Sequence, residues 1–257
     1  WLFLPGASNR MGWERLAASE LIHFGKWIFL STICGFLFNQ ADKLILGKYL
    51  SFDVFGVYNI GFFLASFPML LGHMLTWRLL IPIYRELPPH ESAANFAKLR
   101  RMRFAVTGGL MALSAGFALL GVWLVGIMYD DRYAMAGAVV VLMALMQLPQ
   151  IIVMTYDQAS LAAGDSRRFF LLTLAKAAAM IVALLLGLEW GGLLGALLGY
   201  GAAMVLAYPV VVWLARHMRA WDPVHDAGMA ALGLGLATLA LWLNGAALVD
   251  LARLSGW

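Results

Sequence analysis

The sequence predicts an all-α, polytopic bundle of about seven transmembrane helices. Hydrophobic residues make up 63% of the 257 positions and charged residues only 12%, whereas soluble domains are roughly half apolar and one quarter charged. The apolar stretches are also long, and crossing a hydrocarbon core of about 30 Å as a helix takes about 20 residues. A β-barrel is excluded because the stretches are continuous, while barrel strands alternate apolar and polar residues.

Seven apolar segments follow one another, separated by polar connectors that are mostly short. They cover residues 21–48, 53–77, 104–128, 134–156, 168–188, 191–215 and 227–248. Each is long enough to cross the bilayer as a helix. We therefore assign residues 1–257 to a single transmembrane domain.

The first span reaches bilayer length only by including a polar segment. The apolar stretch at residues 27–38 is too short to cross alone, so the helix must continue through NQADKLIL, residues 39–46. This places Asn39, Gln40 and Asp42 at membrane depth. Because an ionised carboxylate facing acyl chains is strongly unfavourable, we expect Asp42 to face the bundle and to find a partner on the second or fifth span.

The connector at residues 85–103, RELPPHESAANFAKLRRMR, is longer than the others. It opens with a Pro-Pro break, and its later part, residues 91–103, is charged but places Phe96 and Leu99 on one side. This pattern predicts an amphipathic helix lying along the cytoplasmic membrane surface. Its basic residues are interpreted as an orientation signal touching anionic lipid, with contact to a gate or a partner as the alternative.

Glycine and proline residues mark the packing and bending of the spans. Glycines cluster in the sixth span (GGLLGALLGYGAA) and in the seventh (GMAALGLGLA), a spacing that lets helices approach closely. Pro68, Pro149 and Pro209 each interrupt a span. A proline frees a backbone carbonyl and kinks the helix, which is tolerated in membranes and useful where helices bend.

The distribution of Lys and Arg predicts the orientation of the chain. Basic connectors lie on the cytoplasmic side of membrane proteins, and the two sides of a seven-span bundle differ strongly here. The side of the N-terminus holds Arg10, Arg15, Lys26, Arg78, Arg85, Lys98, Arg100, Arg101, Arg103, Arg167, Arg168, Arg216 and Arg219, and the other side holds Lys43, Lys48, Arg132 and Arg253. We therefore expect a cytoplasmic N-terminus, and we attribute the formal net charge of +4 to orientation and not to nucleic-acid binding.

Residues 24–68 carry an ordered set of motifs. An aromatic-Gly start and an apolar helix precede a Q-x-D-(K/R)-x-(I/L)-(I/L)-G stretch, and G-x-Y opens the next helix. The residues of these motifs are Gln40, Asp42, Lys43, Gly47, Gly56 and Tyr58. The segment resembles the start of the second half of the polysaccharide transporter family, the O-antigen and exopolysaccharide flippases of the MOP superfamily. DQASLAAGDSRR and the glycine-rich sixth span resemble later parts of these proteins, so the resemblance covers most of residues 24–216.

The resemblance implies a fold and a function. Members of the family have two pseudo-symmetric lobes around a central cavity, and this chain is similar to the second lobe with one further helix. We therefore expect the N-terminal lobe to be absent from this chain and to be its partner. The implied activity is the flipping of undecaprenyl-pyrophosphate-linked oligosaccharide across the bacterial cytoplasmic (inner) membrane during cell-surface polysaccharide and lipopolysaccharide biosynthesis. The other partners implied are the lipid-linked substrate and membrane lipids.

Moving a pyrophosphate through the bilayer is costly, and a cavity lined by cations lowers that cost. The candidate cavity residues are Lys43, Lys48, Arg78, Lys176, Gln40 and Asn39. Lys176 lies too deep in the fifth span to reach the surface, so it either lines the cavity or forms a structural ion pair. Asp42 is either an ion-coupling site or a structural partner of a neighbouring donor. H⁺ or Na⁺ is the coupling ion in the first case, and no other cofactor is expected.

Two other classes of membrane protein are alternatives to a flippase. A drug or cation antiporter of the same superfamily has the same fold and a smaller, acidic or aromatic cavity. A membrane-embedded polysaccharide polymerase or acyltransferase needs a cluster of reactive side chains in a sizeable loop. The sequence shows no metal-ligand spacing, no phosphate-binding loop followed by Lys and Ser or Thr, and no Gly-x-Ser-x-Gly motif. We therefore predict a transporter and not an enzyme.

Overall fold

The computed structural model describes residues 15–254 and confirms the predicted fold class. No residue in this range lies in a β-strand. Residues 1–14, which include Arg10 of the orientation count, lie outside the described residues. The helices, in chain order, are α1 Arg15–Tyr49, α2 Phe52–Ala65, α3 Phe67–Leu75, α4 Ile81–Glu86, α5 Ala93–Met128, α6 Ala136–Met146, α7 Leu148–Val153, α8 Asp157–Ala162, α9 Ser166–His217, α10 Pro223–Leu243 and α11 Gly245–Leu254.

Five stretches of the described chain are each long and apolar enough to cross a membrane. They are Leu21–Tyr49 within α1, α5, Asp131–Val153 spanning α6 and α7, α9, and α10. Helix α2 and the Phe67–Glu86 stretch, with a bend of 43° between them, are together long and apolar enough for a sixth span. Pro68 lies in the first turn of α3, where a proline is tolerated because its missing N–H has no helical partner.

The 52-residue α9 is two antiparallel spans joined by a tight turn. Gly191 and Gly192 have non-helical backbone angles, and the positive φ of Gly192 (52°) is a conformation that glycine adopts without steric cost. A Cβ atom built on Gly195 lies 2.0 Å from the carbonyl oxygen of Gly187. Residues eight apart can approach so closely only if the chain reverses between them. Residues 166–190 and 193–217 are therefore the fifth and sixth spans, which completes the predicted seven.

Helix α6 is the centre of the bundle. All residues from Ala136 to Leu145 are buried, and α6 packs against α2, α5 and α9. Glycines of the neighbours make this packing close, since a Cβ atom on Gly61 of α2 would lie 2.6 Å from Val139. The packing role predicted for glycine in the sixth span also holds, because Gly201 lies directly against Met146.

The connector before the third span is shorter than the sequence suggests. Helix α5 begins at Ala93, where the Oγ of Ser92 accepts a hydrogen bond of 3.0 Å from the backbone N–H of Asn95. It then runs without a break to Met128. Residues 93–103 are helical as predicted, but they are the first turns of the third span and not a separate helix. At about 1.5 Å per residue α5 is far longer than a hydrocarbon core of about 30 Å, so part of it extends beyond the core.

Candidate functional site

A cleft of about 730 Å³ opens at membrane depth between α1, the α3–α4 segment, the α7–α8 segment and the first half of α9. We call it the membrane cleft. Its walls combine aromatic and aliphatic side chains with polar groups that are unusual at this depth. The polar lining residues are Ser31, Thr32, Asn39, Gln40, His73, Gln150, Asp157, Thr173 and Lys176.

Lys176 and Asp157 form an ion pair on the wall of the membrane cleft. Lys176 is 5% exposed, and its Nζ donates a hydrogen bond to Oδ1 of Asp157 at the start of α8. The Asp157 side chain retains 20% exposure. The structure therefore shows both proposed features of Lys176, since it lines a cavity and belongs to an ion pair. It is the only Lys or Arg among the described residues that line this cleft.

Of the candidate cavity residues, Asn39 and Gln40 also lie on the wall of the membrane cleft. Asn39 donates a hydrogen bond of 2.7 Å to the carbonyl oxygen of Gly35 in its own helix. The structure adds His73 of α3 and Gln150 of α7 to the lining. Gln150 does not stand out in the sequence, because a single polar residue in an apolar span has the same pattern whether it packs or lines a cavity.

Asp42 faces the protein interior, as its position in the first span required. It is 2% exposed, and the hydroxyl of Tyr58 on α2 donates a hydrogen bond to its Oδ2. The partner thus comes from the second span, one of the two helices expected to provide it. Asp42 is not among the residues that line the membrane cleft. Aromatic rings surround Tyr58. The ring centroid of Phe62 lies 5.7 Å from that of Tyr58, and the ring centroid of Tyr200 lies 6.2 Å from that of Phe62.

The other three predicted cations lie outside the membrane cleft. Lys43 is half-buried, with its Nζ 5.2 Å from the ring centroid of Phe62. Lys48 is exposed beside the ring of Tyr49 at the end of α1. Arg78 is exposed in the π-helical turn between α3 and α4. A strongly cationic cleft is therefore not what the structure shows.

A second buried polar cluster lies where α5 and α10 begin. Arg103 on α5 is fully buried, donates hydrogen bonds to the hydroxyl of Tyr84 and the carbonyl of Ala220, and stacks 4.2 Å from the ring centroid of Tyr156. We call this cluster, together with Arg100, Thr107, Tyr208, Asp222, His225 and Asp226, the Arg103 network.

Asp226 is the acceptor at the other end of the Arg103 network. The hydroxyls of Tyr156 and Tyr208 donate hydrogen bonds of 2.7 and 2.8 Å to its two carboxylate oxygens. His225 Nδ1 lies 2.9 Å from Asp226, and its Nε2 lies 3.1 Å from the hydroxyl of Thr107. The network therefore ties α5 and α9 to the start of α10.

Asp222 is the N-cap of α10 and pairs with Arg100 of α5. Its carboxylate receives hydrogen bonds of 2.5 and 2.9 Å from Nε and Nη2 of Arg100. Burial raises the pKa of Asp222, but hydrogen bonds from Arg100 and from the backbone of His225, with the positive charge of Arg100, outweigh it and hold the pKa below its usual value.

The interpretation of this basic segment as lipid-touching is thus wrong for Arg103, which is fully buried and bonds protein groups. The sequence did contain one signal for the cap: Asp followed by Pro is a typical helix start. The partner of this cap, Arg100, lies 122 positions away and had no such signal.

Comparison with known proteins gives one match. The family described as polysaccharide biosynthesis protein matches residues 3–161, which is more than half of the chain. The matched part contains Asp42, Tyr58 and Asp157, and it ends before Lys176. No curated protein and no solved structure matches this chain.

Proposed function

The chain belongs to the polysaccharide biosynthesis protein family, and from this premise we propose that it moves lipid-linked oligosaccharide across the bacterial cytoplasmic membrane. As a multi-pass membrane protein of that family, it takes part in polysaccharide biosynthesis. The proposal adds the step, the flipping of an undecaprenyl-pyrophosphate-linked glycan. It makes the protein a transporter and not an enzyme.

The membrane cleft is the observation that carries the proposal. Its volume of about 730 Å³ is within the range of sites that enclose small ligands. Amide groups of Asn39, Gln40 and Gln150 offer donors and acceptors that suit sugar hydroxyls. Such groups at membrane depth are expensive unless they face protein or a polar ligand, so they are typical of a polar substrate pathway.

The ammonium group of Lys176 can exchange its partner, the carboxylate of Asp157, for an anionic ligand. The carboxylate of Asp157 compensates the ammonium group of Lys176. A phosphate group entering the cleft can take the place of Asp157, whose partial exposure allows water to solvate it. The buried ammonium group of Lys176 then has an acceptor both before and after the phosphate group enters, which keeps the energetic cost of translocation low.

We further propose that Asp42 couples transport to an ion gradient. Its buried carboxylate has one side-chain donor, Tyr58, and uptake or release of H⁺ or Na⁺ changes the charge of a position enclosed by protein. A change of charge at such a position favours one packing of α1 against α2 over another.

A proteoliposome assay tests the proposal. The protein is reconstituted with undecaprenyl-pyrophosphate-linked oligosaccharide, and the glycan reaching the far leaflet is measured by its access to an added lectin. We expect translocation by the native protein, a loss of at least tenfold in Lys176→Met, and little change in Lys48→Met, which removes an exposed lysine outside the cleft. Transport of a small organic cation without movement of the glycan would instead identify a drug or cation antiporter.

A further inference from the structure

A second cleft, of about 760 Å³, opens at the end of the bundle where α4 ends and α9 begins. Four segments meet around it: the end of α4, the turn at residues 87–90, the α8–α9 link and the α9–α10 link. Its charged and ionisable lining residues are Arg85, His90, Asp165, Arg168, His217 and Arg219. We call it the basic cleft.

The charges of the basic cleft do not balance within the protein. Its one carboxylate, Asp165, is engaged, since it accepts a hydrogen bond of 2.9 Å from the backbone N–H of Arg168 and pairs with the guanidinium group of the same residue. Arg85 and Arg219 are exposed and form no ion pair with any described residue. The cleft therefore offers two guanidinium groups without a protein acceptor.

The backbone at Arg219 is held by the protein. Its N–H donates a hydrogen bond of 3.0 Å to the carbonyl of Arg216, and the next residue, Ala220, is buried and donates 2.8 Å to Ala215. The carbonyl of Ala220 in turn accepts a hydrogen bond from Arg103. The Arg103 network thus fixes the turn that presents Arg219 to the cleft.

Helix α8 separates the basic cleft from the membrane cleft. Asp157 and Leu161, one helical turn apart, line the membrane cleft, while Ala159 and Ala162 line the basic cleft. A ligand in the basic cleft therefore lies one helix width from the wall that carries the Lys176–Asp157 pair. The predicted orientation places the basic cleft at the cytoplasmic surface, where the substrate starts.

We propose that the basic cleft binds the pyrophosphate group of the lipid-linked substrate before the headgroup enters the membrane cleft. This inference rests on the proposed function. The planar guanidinium group matches the geometry of phosphate oxygens and donates two parallel hydrogen bonds to them. Arg85 and Arg219 come from different segments and line the same cleft, together with His90 and His217, so two guanidinium groups are available to two phosphoryl groups.

The test measures binding of inorganic pyrophosphate to the detergent-solubilised protein by calorimetry. The cleft variant is Arg85→Gln with Arg219→Asn, because Asn tolerates the positive φ of position 219 (49°). The matched control is Lys98→Gln with Arg101→Gln, which removes the same charge from exposed positions of α5 outside the cleft. We expect at least tenfold weaker binding by the cleft variant and less than twofold change in the control. Equal weakening in both variants, or none in the cleft variant, would overturn the proposal.

A second arm separates a lipid headgroup from a free anion. Farnesyl pyrophosphate in nanodiscs, which shares the pyrophosphate and the lipid anchor, is expected to bind more tightly than inorganic pyrophosphate. Binding of inorganic pyrophosphate with no binding of the farnesyl compound would assign the cleft to a soluble anion and refute the inference.

The two proposals fail in different ways. If the native protein binds farnesyl pyrophosphate through Arg85 and Arg219 but the proteoliposomes show no glycan movement, the proposed translocation is wrong and the basic cleft stands. If translocation depends on Lys176 and the cleft variant binds pyrophosphate normally, the basic cleft is refuted and the proposed function stands.

Discussion

The Lys176–Asp157 pair and the Arg103 network are both buried charge clusters in an apolar bundle, but their surroundings differ. The Lys176 pair has one open side, the membrane cleft of about 730 Å³. Arg103 is 0% exposed and is enclosed by two aromatic side chains and a backbone carbonyl. A charge enclosed by protein acceptors joins helices, whereas a charge pair beside open space can exchange one partner for a ligand. The first should govern stability and the second transport.

The largest expected effect is on stability, from Arg103→Met. The change leaves the hydroxyl of Tyr84 and the carbonyl of Ala220 without their donor in a buried position. Leaving a buried polar group without its partner costs about 1–3 kcal/mol for each group, so we expect a clear fall in thermal melting temperature in detergent and in the amount of protein in the membrane. Arg101→Met, at an exposed position two residues away, is the control and should melt like the native protein. Native-like melting of Arg103→Met would remove the distinction between the two clusters.

Lys176→Met should have a smaller effect on stability and a larger one on transport. The change leaves the carboxylate of Asp157 unpaired, but at 20% exposure it remains in contact with the cleft, so the cost is about 1–3 kcal/mol. The double variant Lys176→Met with Asp157→Asn carries no unpaired charge and should recover melting temperature without recovering glycan translocation. Normal translocation by the double variant would make the pair purely structural.

Asp42→Asn sharpens the comparison further, because it tests a buried carboxylate that lies outside the membrane cleft. Asn keeps the shape and an oxygen that can accept from Tyr58, so we expect a change in stability of about 1 kcal/mol or less. Glycan export should nevertheless fall at normal protein abundance, because the position no longer changes charge. Tyr58→Phe is the matched variant: it removes the donor, keeps the carboxylate, and should retain export. Normal export by Asp42→Asn would leave packing as the only role of Asp42.

The smallest effect concerns the pH dependence of the Arg100–Asp222 pair. The pKa of Asp222 is held below its unfolded value of about 3.9. A group with a lowered folded pKa adds stability above the unfolded pKa and loses it as the pH falls through the folded pKa. Arg100→Gln should therefore lower the free energy of unfolding by a constant amount between pH 8 and pH 5, about 1 kcal/mol or less since Arg100 is partly exposed. The difference from the native protein should shrink below about pH 3.9. A difference that is unchanged at low pH would show that the ion pair is not its cause.

Much of the fold was predictable because each membrane span can be identified from the length and apolar character of its own segment of the sequence. A span must satisfy its backbone hydrogen bonds within itself and needs about 20 apolar residues, so run length alone yields the number of spans. The same reasoning placed Asp42 in the protein interior, since the first span is too short without it. The sequence also pointed to Asn39, Gln40 and Lys176 as cavity residues, and the structure places all three on the membrane cleft.

Tertiary structure alone decided which charges meet. Asp157 appears in the sequence as part of a polar connector, and only the packing of α8 against α9 brings it to Lys176. Arg100 and Arg103 lie in a basic segment of the kind that faces lipid headgroups. Whether a residue near the end of a span contacts headgroups or buried tyrosines depends on how the helix is rotated about its axis. The helix content and span number follow from the chain itself, because the bilayer acts on each segment separately. The partners of the charges depend on contacts between separate segments, 19 residues apart for Asp157 and Lys176 and 122 residues apart for Arg100 and Asp222, which no local pattern encodes.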